Sequence, residues 1–530
     1  MAASSAVHLE PSRAASHKWL IALAVMLGTT LEVLDSSIIN IALPHLQGAF
    51  SSSLDEITWV VTSYLVANGI MIPMTGWISA RFGRKRYFLT SVFVFVAASL
   101  LCGAAQSLMQ IVIFRLVQGA AGAAMVPSSQ AILIETFPPE ERQMAMAVWG
   151  TGVMVAPIAG PTIGGWITDN WSWRWNFYIN LPIGIMAFLM VSAFVHDPAF
   201  MHEPRARGSK VDYLGIALLA LSLGLLQIVL DRGQRADWFN TPWVIYATSF
   251  SALSFVLLAL REVSFSEPIL DLQIFKQGAF GVATALQVSM SFVLFGTILL
   301  SPLFLQELMG YSAWQAGLTL APRGLAAMFS MLLMGQLSRR GINTRPLVGV
   351  GFAIASFGSW LTAGWDLQIS AWTVIWTGIV MSLGYGLIFP NTSAAALSCV
   401  PAHRIGYASS LFNMLRNTGA AIGIALMTNS LLSREQVHQS RLVEHFSVFE
   451  AWRLQTIGAR LPGSPAFQYL PGLPGTHQQL RVIYGLVQAQ SAMLAFNDIY
   501  WIIAIAIIPL IPLCFLLPSS KPGGPADRNG

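Results

Sequence analysis

Charge is scarce in this sequence. Only 10% of its 530 residues are Asp, Glu, Lys or Arg, against about 25% in a soluble domain. A chain this long folded in water would need several charged surfaces, and the residues to cover them are missing. Cysteine is nearly absent as well. Cys102, Cys399 and Cys514 stand far apart, in or beside apolar runs, which excludes a disulfide framework and a cysteine metal cluster. There is no GxxxxGK[ST] phosphate loop, no HExxH and no GxSxG elbow, so ATP-driven work and hydrolytic chemistry have no support. No metal site and no cofactor is expected. The formal net charge of +5 is spread over short loops, where it sets membrane orientation rather than binding nucleic acid.

What the chain has instead is apolar runs of about 20 residues, the length of helix that crosses a roughly 30 Å hydrocarbon core. The first, 19–43, is too long for a signal-peptide core and no small-residue cleavage site follows it. Further runs fall near 57–79, 87–108, 109–133, 144–168, 176–196, 212–231, 242–262, 279–302, 314–337, 346–366, 372–397, 406–431 and 495–517. Fourteen crossings put both termini on one side. With that side cytoplasmic, the basic loops holding Arg81, Arg84, Lys85 and Arg86, and Arg339, Arg340 and Arg345, lie inside, as the positive-inside rule requires. The polar segment 433–494 then lies outside, with 433–449 helical in pattern and 462–475 rich in Pro and Gly.

The chain also repeats itself. MVPSSQAILIETFPPEER has Pro127 and Pro138 eleven apart, and IFPNTSAAALSCVPAHR has Pro390 and Pro401 eleven apart, an offset of 263. GWISARFGRKR from Gly76 is echoed by GQLSRRGINTR from Gly335 at an offset of 259. Both copies fall on the same side, so the repeat is parallel. The expected architecture is an all-α polytopic membrane protein: a tail 1–18, a six-helix bundle 19–196, two inserted helices 212–262, a second bundle 279–517 and a tail 518–530.

Polar residues inside the spans carry the functional argument, because an arginine at mid-membrane costs about 2.5–3.5 kcal/mol unless paired or hydrated. Arg115 opens the sequence RLVQGAAG, with Gln118 one turn on, and should face an acid or a polar cavity, or else bind helix carbonyls. Glu32 and Asp35 are three apart on neighbouring positions of the first span. Burial favours a neutral carboxyl and a nearby arginine favours its ion, so such a site can exchange a proton when its surroundings change. A fixed structural ion pair is the plainer reading. The matching stretch of the second half, FVLFGTILLSP, has no acid, so a proton site would be one-sided. Arg323 and Arg416, the latter beside Asn413 and Asn417, either bind an anionic substrate or brace helices. Asn68, Gln130 and Asn391 complete the candidate cavity, and abundant Trp, Phe and Met suit a greasy pocket.

Two further motifs look conformational. In the loop Gly76-Trp-Ile-Ser-Ala80-Arg81-Phe-Gly83-Arg84-Lys85-Arg86, glycines permit a tight turn and the basic residues hold the cytoplasmic surface. The fifth span places Gly152, Ala156, Gly160 and Gly164 on one smooth face, with Pro157 and Pro161 at the same spacing and Gly165 following. Small residues let another backbone approach closely, and prolines bend the helix.

The loop from Gly76, the Arg115 segment, the Gly/Pro run and LDSSIINIALP resemble the major facilitator superfamily, and within it the fourteen-spanner drug:proton antiporter branch. WRWNFYINLPIG (173–184), LLQIVLDRG (225–233), PLFLQELMGYSAWQAGL (302–318) and GYASSLFNMLRNTGAAIG (406–423) fit that branch. The resemblance implies two pseudo-symmetric six-helix bundles plus two extra helices, proton coupling at Asp35, proton transfer or gating at Arg115, a hinge from Gly152 to Gly165 and a latch from Gly76 to Arg86. The latch usually carries an acid where this chain has Ala80, so the charge pairing there must be weaker or come from elsewhere. The branch's inner-membrane subunits of tripartite pumps, which share the long outer segment, imply a periplasmic adaptor and an outer-membrane channel as partners.

The function expected is proton-coupled export of hydrophobic or amphipathic compounds from the bacterial inner membrane, with lipophilic solutes, protons and membrane lipids as partners. Alternatives are a dedicated exporter of one lipid-like or siderophore-like molecule, and a receptor or scaffold that uses the fold without flux. Buried Glu32, Asp35 and Arg115 speak against a scaffold, which gains little from them.

Overall fold

A backbone surrounded by hydrocarbon must satisfy its own N–H and C=O groups, so apolar runs of this length close on themselves as helices. The computed structural model describes residues 14–197, 212–265, 269–444 and 477–517, and among these there is helix and no strand. Fourteen long helices follow in order. The first six are α1 (Ala14–Phe50), α2 (Trp59–Phe82), α3 (Arg84–Ala104), α4 (Leu108–Thr136), α5 (Arg142–Asn170) and α6 (Trp175–Phe194). Then come α7 (Tyr213–Arg232) and α8 (Pro242–Ser264). The last six are α9 (Gly278–Leu303), α10 (Ala313–Arg339), α11 (Thr344–Thr362), α12 (Ala371–Ser398), α13 (Ile405–Glu444) and α14 (His477–Ile507).

Twelve of these positions are long and apolar enough to cross a membrane by length and composition alone. The expected crossings at 346–366 and 406–431 are helical but fall short of that measure. In α11 the apolar run is diluted by Arg345 and by Gly351 and Gly358, whose close neighbours are the backbones of Gly384 and Met381. In α13 it is interrupted by Asn413 and Arg416, both buried between helices rather than facing lipid.

The packing repeats with a shift of eight helices. The pairs α1/α5, α2/α4, α3/α4 and α3/α6 recur as α9/α13, α10/α12, α11/α12 and α11/α14. The two halves meet along α5/α10 and α2/α13. The inserted helices pair with each other, and α7 leans on α2 and α13 at one of those seams. The chain is thus an all-helical, multi-pass membrane protein of two similar six-helix bundles with two extra helices.

The small-residue face of α5 does what its spacing suggested, against a definite partner. A Cβ on Gly152 would lie 2.6 Å from Thr30 Oγ1, one on Gly160 2.6 Å from Ser37 Cβ, and one on Gly164 3.0 Å from Ile38 Cγ2. All three neighbours belong to α1, so the glycines draw in the helix that carries Glu32 and Asp35. Pro157, Pro161 and Gly165 lie within the same helix.

The segment 433–494 is helical at its start, as its pattern suggested, and also over its last third, which its composition did not suggest. Helix α13 runs on to Glu444 and α14 already begins at His477. His438 Nε2 meets Asp498 Oδ2 at 2.9 Å, tying the extension of α13 to α14. The Pro/Gly-rich stretch 462–475 and most of both tails lie outside the described residues.

Candidate proton-coupling site

The first half closes on a buried charge cluster. Gly119 sets it up: a Cβ there would fall 2.9 Å from Tyr64 Cα, so only glycine lets α4 rest on α2 at this level. One turn earlier, Arg115 is 0% exposed and Asp35 3%. Arg115 Nη1 donates to Asp35 Oδ2 at 2.5 Å and to Gln118 Oε1 at 2.9 Å, while its Nε donates to the Val60 carbonyl at 3.2 Å. Its Cζ stands 4.2 Å from the centre of the Tyr64 ring, a cation–π contact. Asp35 Oδ1 accepts from Gln118 Nε2 at 2.9 Å and from Asn180 Nδ2 at 2.7 Å. Asn180 also donates to Ser99 Oγ at 2.9 Å.

This donor set fits an ionised carboxylate, which only accepts hydrogen bonds. Protonating Asp35 removes the ion pair and leaves Arg115 as an uncompensated charge in a dry site, a change worth about 3–5 kcal/mol when a buried pair is broken. The cluster is therefore built to hold one protonation state in one packing arrangement. Asn180 is the element sequence reasoning passed over, along with Ser99 and Tyr64. It sits inside WRWNFYINLPIG, and an asparagine in an otherwise apolar span was the available signal. Replacing Asn180 by Leu removes a charge-assisted bond worth about 1.5–3 kcal/mol. Proton-coupled flux in liposomes is expected to fall about tenfold or more, with the protein still monodisperse in gel filtration.

Glu32 does not share that cluster, although it lies one turn from Asp35. Its Oε1 accepts from Asn68 Nδ2 at 3.1 Å, and its Oε2 is enclosed without a hydrogen-bond partner. The opposite charge it feels comes from Arg416 on α13, across the seam between the halves. Arg416 itself donates to Asn417 Oδ1 at 3.1 Å.

The remaining cavity candidates separate into distinct places. Gln118 belongs to the Asp35 cluster. Gln130 and Asn413 bind each other across the halves, Asn413 Nδ2 donating to Gln130 Oε1 at 2.6 Å. Asn391 is buried and donates to the Leu387 carbonyl of its own helix. Arg323 lies in the second half, on α10, away from the others.

Hydrogen bonds between the halves gather at the end that carries Gly83. Ser409 donates to the Pro127 carbonyl at 2.8 Å, and Gln143 to Thr344 Oγ1 at 3.4 Å. Trp149 stacks on Phe389 with ring centres 6.0 Å apart. Gly76 is pressed against α13: a Cβ there would lie 2.7 Å from Tyr407 Cα and 2.8 Å from the Gly406 carbonyl oxygen.

The latch loop turns at Gly83, whose φ of +91° strains any other residue. Arg84 pairs with Glu135 of α4, with both side chains nearly buried, and Arg81 lies over the Trp77 ring. The backbone N–H of Lys85 donates to Asp197 Oδ1 at 2.7 Å. Glu135 and Asp197 thus bring acid to a loop that has Ala80 where an acid was expected.

Comparison with known proteins agrees with this construction. The family model described as Major Facilitator Superfamily matches residues 25–424. The chain is 36% identical to the multidrug export protein EmrB of Haemophilus influenzae over 501 residues, 93% of this chain and 94% of that one. It is 33% identical to the fatty acid resistance protein FarB of Neisseria gonorrhoeae over 519 residues, 97% and 99% of the two chains. A solved double-tryptophan mutant of XylE superposes with a TM-score of 0.62 at 14% identity, covering 96% of this chain and 97% of that one, a likeness of fold. Two parallel bundles, a basic loop turning at Gly83, a buried Asp–Arg pair and a matched family model lead to one statement: this chain belongs to the major facilitator superfamily.

Proposed function

We propose that the protein exports hydrophobic or amphipathic compounds in exchange for protons, by alternating access between its two bundles. The observation that carries this reading is the Asp35 carboxylate, buried in the first half and held by Arg115, Gln118 and Asn180. A protonatable acid locked to one packing arrangement is what couples proton binding to a change of shape, since a ligand moves an equilibrium only by binding its two states differently. One proton moving down 100 mV supplies about 2.3 kcal/mol, enough for a concentration ratio of roughly fifty. EmrB and FarB, named for multidrug export and fatty acid resistance, support the direction and the solute class.

In this reading the membrane is the bacterial inner membrane and the Gly83 end faces the cytoplasm. The contacts at Gly76, Gln130 and Gln143 then close the cytoplasmic side. The outer helical extensions around His438 and Asp498 are the natural meeting place for a periplasmic adaptor leading to an outer-membrane channel.

The test is flux. Liposomes holding the protein and a pH dye receive a pH gradient and then tetraphenylphosphonium or dodecanoate, with protein-free liposomes setting the background. Solute-triggered proton movement above background is expected with at least one of them. A wild-type protein silent to both, and to a panel of other lipophilic solutes, contradicts the export reading.

A further inference from the structure

Among the described residues, five charged side chains lie more than one turn inside the expected crossings: Glu32, Asp35, Arg115, Arg323 and Arg416; Asp498, in the first turn of the last crossing, is already met by His438 and Arg434. Two acids against three arginines leave one positive charge over, even with both acids ionised. Asp35 answers Arg115 in a direct ion pair; Glu32 acts on Arg416 across the seam without ion-pair contact, whereas no carboxylate among the described residues acts on Arg323. The charge left over belongs to Arg323, which has no carboxylate within ion-pair distance among the described residues. Unpaired charge inside a membrane is expensive and marks substrate paths and ligand counter-ions.

The neighbours of Arg323 are donors and rings. Its Nη1 donates to Ser301 Oγ at 2.8 Å, and Ser301 in turn lies 3.3 Å from the Tyr500 hydroxyl. Nε and Nη2 are enclosed and have no hydrogen-bond partner. These two nitrogens form the side-on edge of the guanidinium, whose parallel N–H bonds match the two oxygens of one carboxylate. Trp365, 3% exposed, holds its ring centre 6.0 Å from Arg323 Cζ, and its own Nε1–H has no acceptor either. Phe304, Phe496 and Tyr500 continue the aromatic wall, with ring centres 4.7–5.1 Å apart between successive members. The site has donors in surplus, no carboxylate among the described residues within ion-pair distance, and an apolar lining.

The repeat makes the vacancy specific. In the register of Pro127 and Pro390, the counterpart of Arg115 is Gly378. A Cβ on Gly378 would fall onto Arg323 Nε, with Cδ and Cζ both 2.7 Å away, so the glycine is what lets the Nε side of the guanidinium lie against α12. The second half therefore supplies its cation from the neighbouring helix, onto the spot left open by that glycine, and supplies no counterpart of Asp35.

We infer that the Arg323 fork is a binding subsite for the carboxylate of a lipophilic anion, whose apolar body lies along Trp365, Phe496 and Tyr500. The inference rests on the export reading for its role, but its chemistry is read by binding alone. The anionic solute restores the missing charge in the second half, as Asp35 does in the first.

The test is equilibrium binding to the full chain in phosphatidylcholine nanodiscs, with radiolabelled dodecanoate, dodecanol and tetraphenylphosphonium. Wild type is expected to bind dodecanoate at least tenfold more tightly than dodecanol. Arg323→Gln should erase that preference and leave tetraphenylphosphonium unchanged or tighter. Arg323→Lys should keep only part of it, since an ammonium has no fork. Gly378→Ala keeps the charge but displaces the guanidinium, and should weaken dodecanoate binding severalfold. Each variant is first shown to be monodisperse.

Undiminished dodecanoate preference in monodisperse Arg323→Gln overturns the inference. So does a tenfold loss of dodecanoate affinity when phosphatidylglycerol is added to the discs, because the site would then be a lipid-headgroup site. Because binding is read without flux, a protein that binds by this rule yet moves no protons contradicts the export reading and leaves the subsite standing.

Discussion

Asp35→Asn is expected to abolish solute-driven proton movement in liposomes, to at most one hundredth of wild type, while the protein remains folded. The substitution keeps the shape and a hydrogen-bonding oxygen for Gln118 and Asn180, yet it removes both the charge that answers Arg115 and the group that takes up a proton. Buried at 3% exposure and 2.5 Å from Arg115 Nη1, this carboxylate is the one that meets Arg115. Glu32 is committed to Asn68 and faces Arg416 on the other side of the seam. Losing one member of a buried pair costs about 3–5 kcal/mol, roughly two to nearly four powers of ten in an equilibrium. Solute exchange without a gradient should survive better than gradient-driven flux, because exchange needs the conformational change and not the proton. Equal loss of both would assign Asp35 a structural role, and full retention of coupled flux would move the proton site to Glu32.

The second large effect is expected at Gly76. Gly76→Val forces two methyl groups toward the Gly406–Tyr407 backbone, where even a Cβ would sit 2.7 Å from Tyr407 Cα. Backbone does not give way as a flexible side chain does, so the halves must part at this end. Overpacking of this kind costs about 1–3 kcal/mol, which shifts the ratio of closed to open conformations by roughly fivefold to more than a hundredfold. Ser128, buried in α4 one residue from the Pro127 carbonyl that accepts from Ser409, offers a reporter. A maleimide should label Ser128→Cys at least fivefold faster in the Gly76→Val background, and Gly76→Ala should give a smaller rise. Unchanged labelling would show that this contact does not hold the end shut.

The large-scale organisation was readable because membranes impose one-dimensional rules. Apolar length gave the crossings, basic loops gave the expected orientation, and the Pro127 and Pro390 offset gave the repeat that the helix pairings display. The Asp35–Arg115 pairing was foreseeable in kind, since an arginine at that depth needs an acid. Which acid it takes was not. Glu32 and Asp35 occupy neighbouring positions in sequence, but α1 sits at the junction of two neighbours, so three residues of rotation send one acid into the bundle and the other to the seam.

Asn180 and Glu135 escaped notice for a related reason. Each is a single polar residue far along the chain from its partner, and only the packing of α6 on α1 and of α4 on α3 brings them together. The seven polar residues grouped as one cavity fall into separate networks because polarity in a span says that a side chain avoids lipid, not which neighbour it meets.

Coupling turns on one link: solute and proton favour opposite arrangements of the same protein. Proton release on binding tests it most directly, without membrane or gradient. Purified protein in weakly buffered detergent solution receives a saturating amount of the solute that gives the largest flux, and pH is followed with an indicator dye. Across a range of pH, wild type is expected to release protons, up to one per chain, and Asp35→Asn none. Binding of solute to wild type with no proton release at any pH, or release of the same size from Asp35→Asn, would contradict the account.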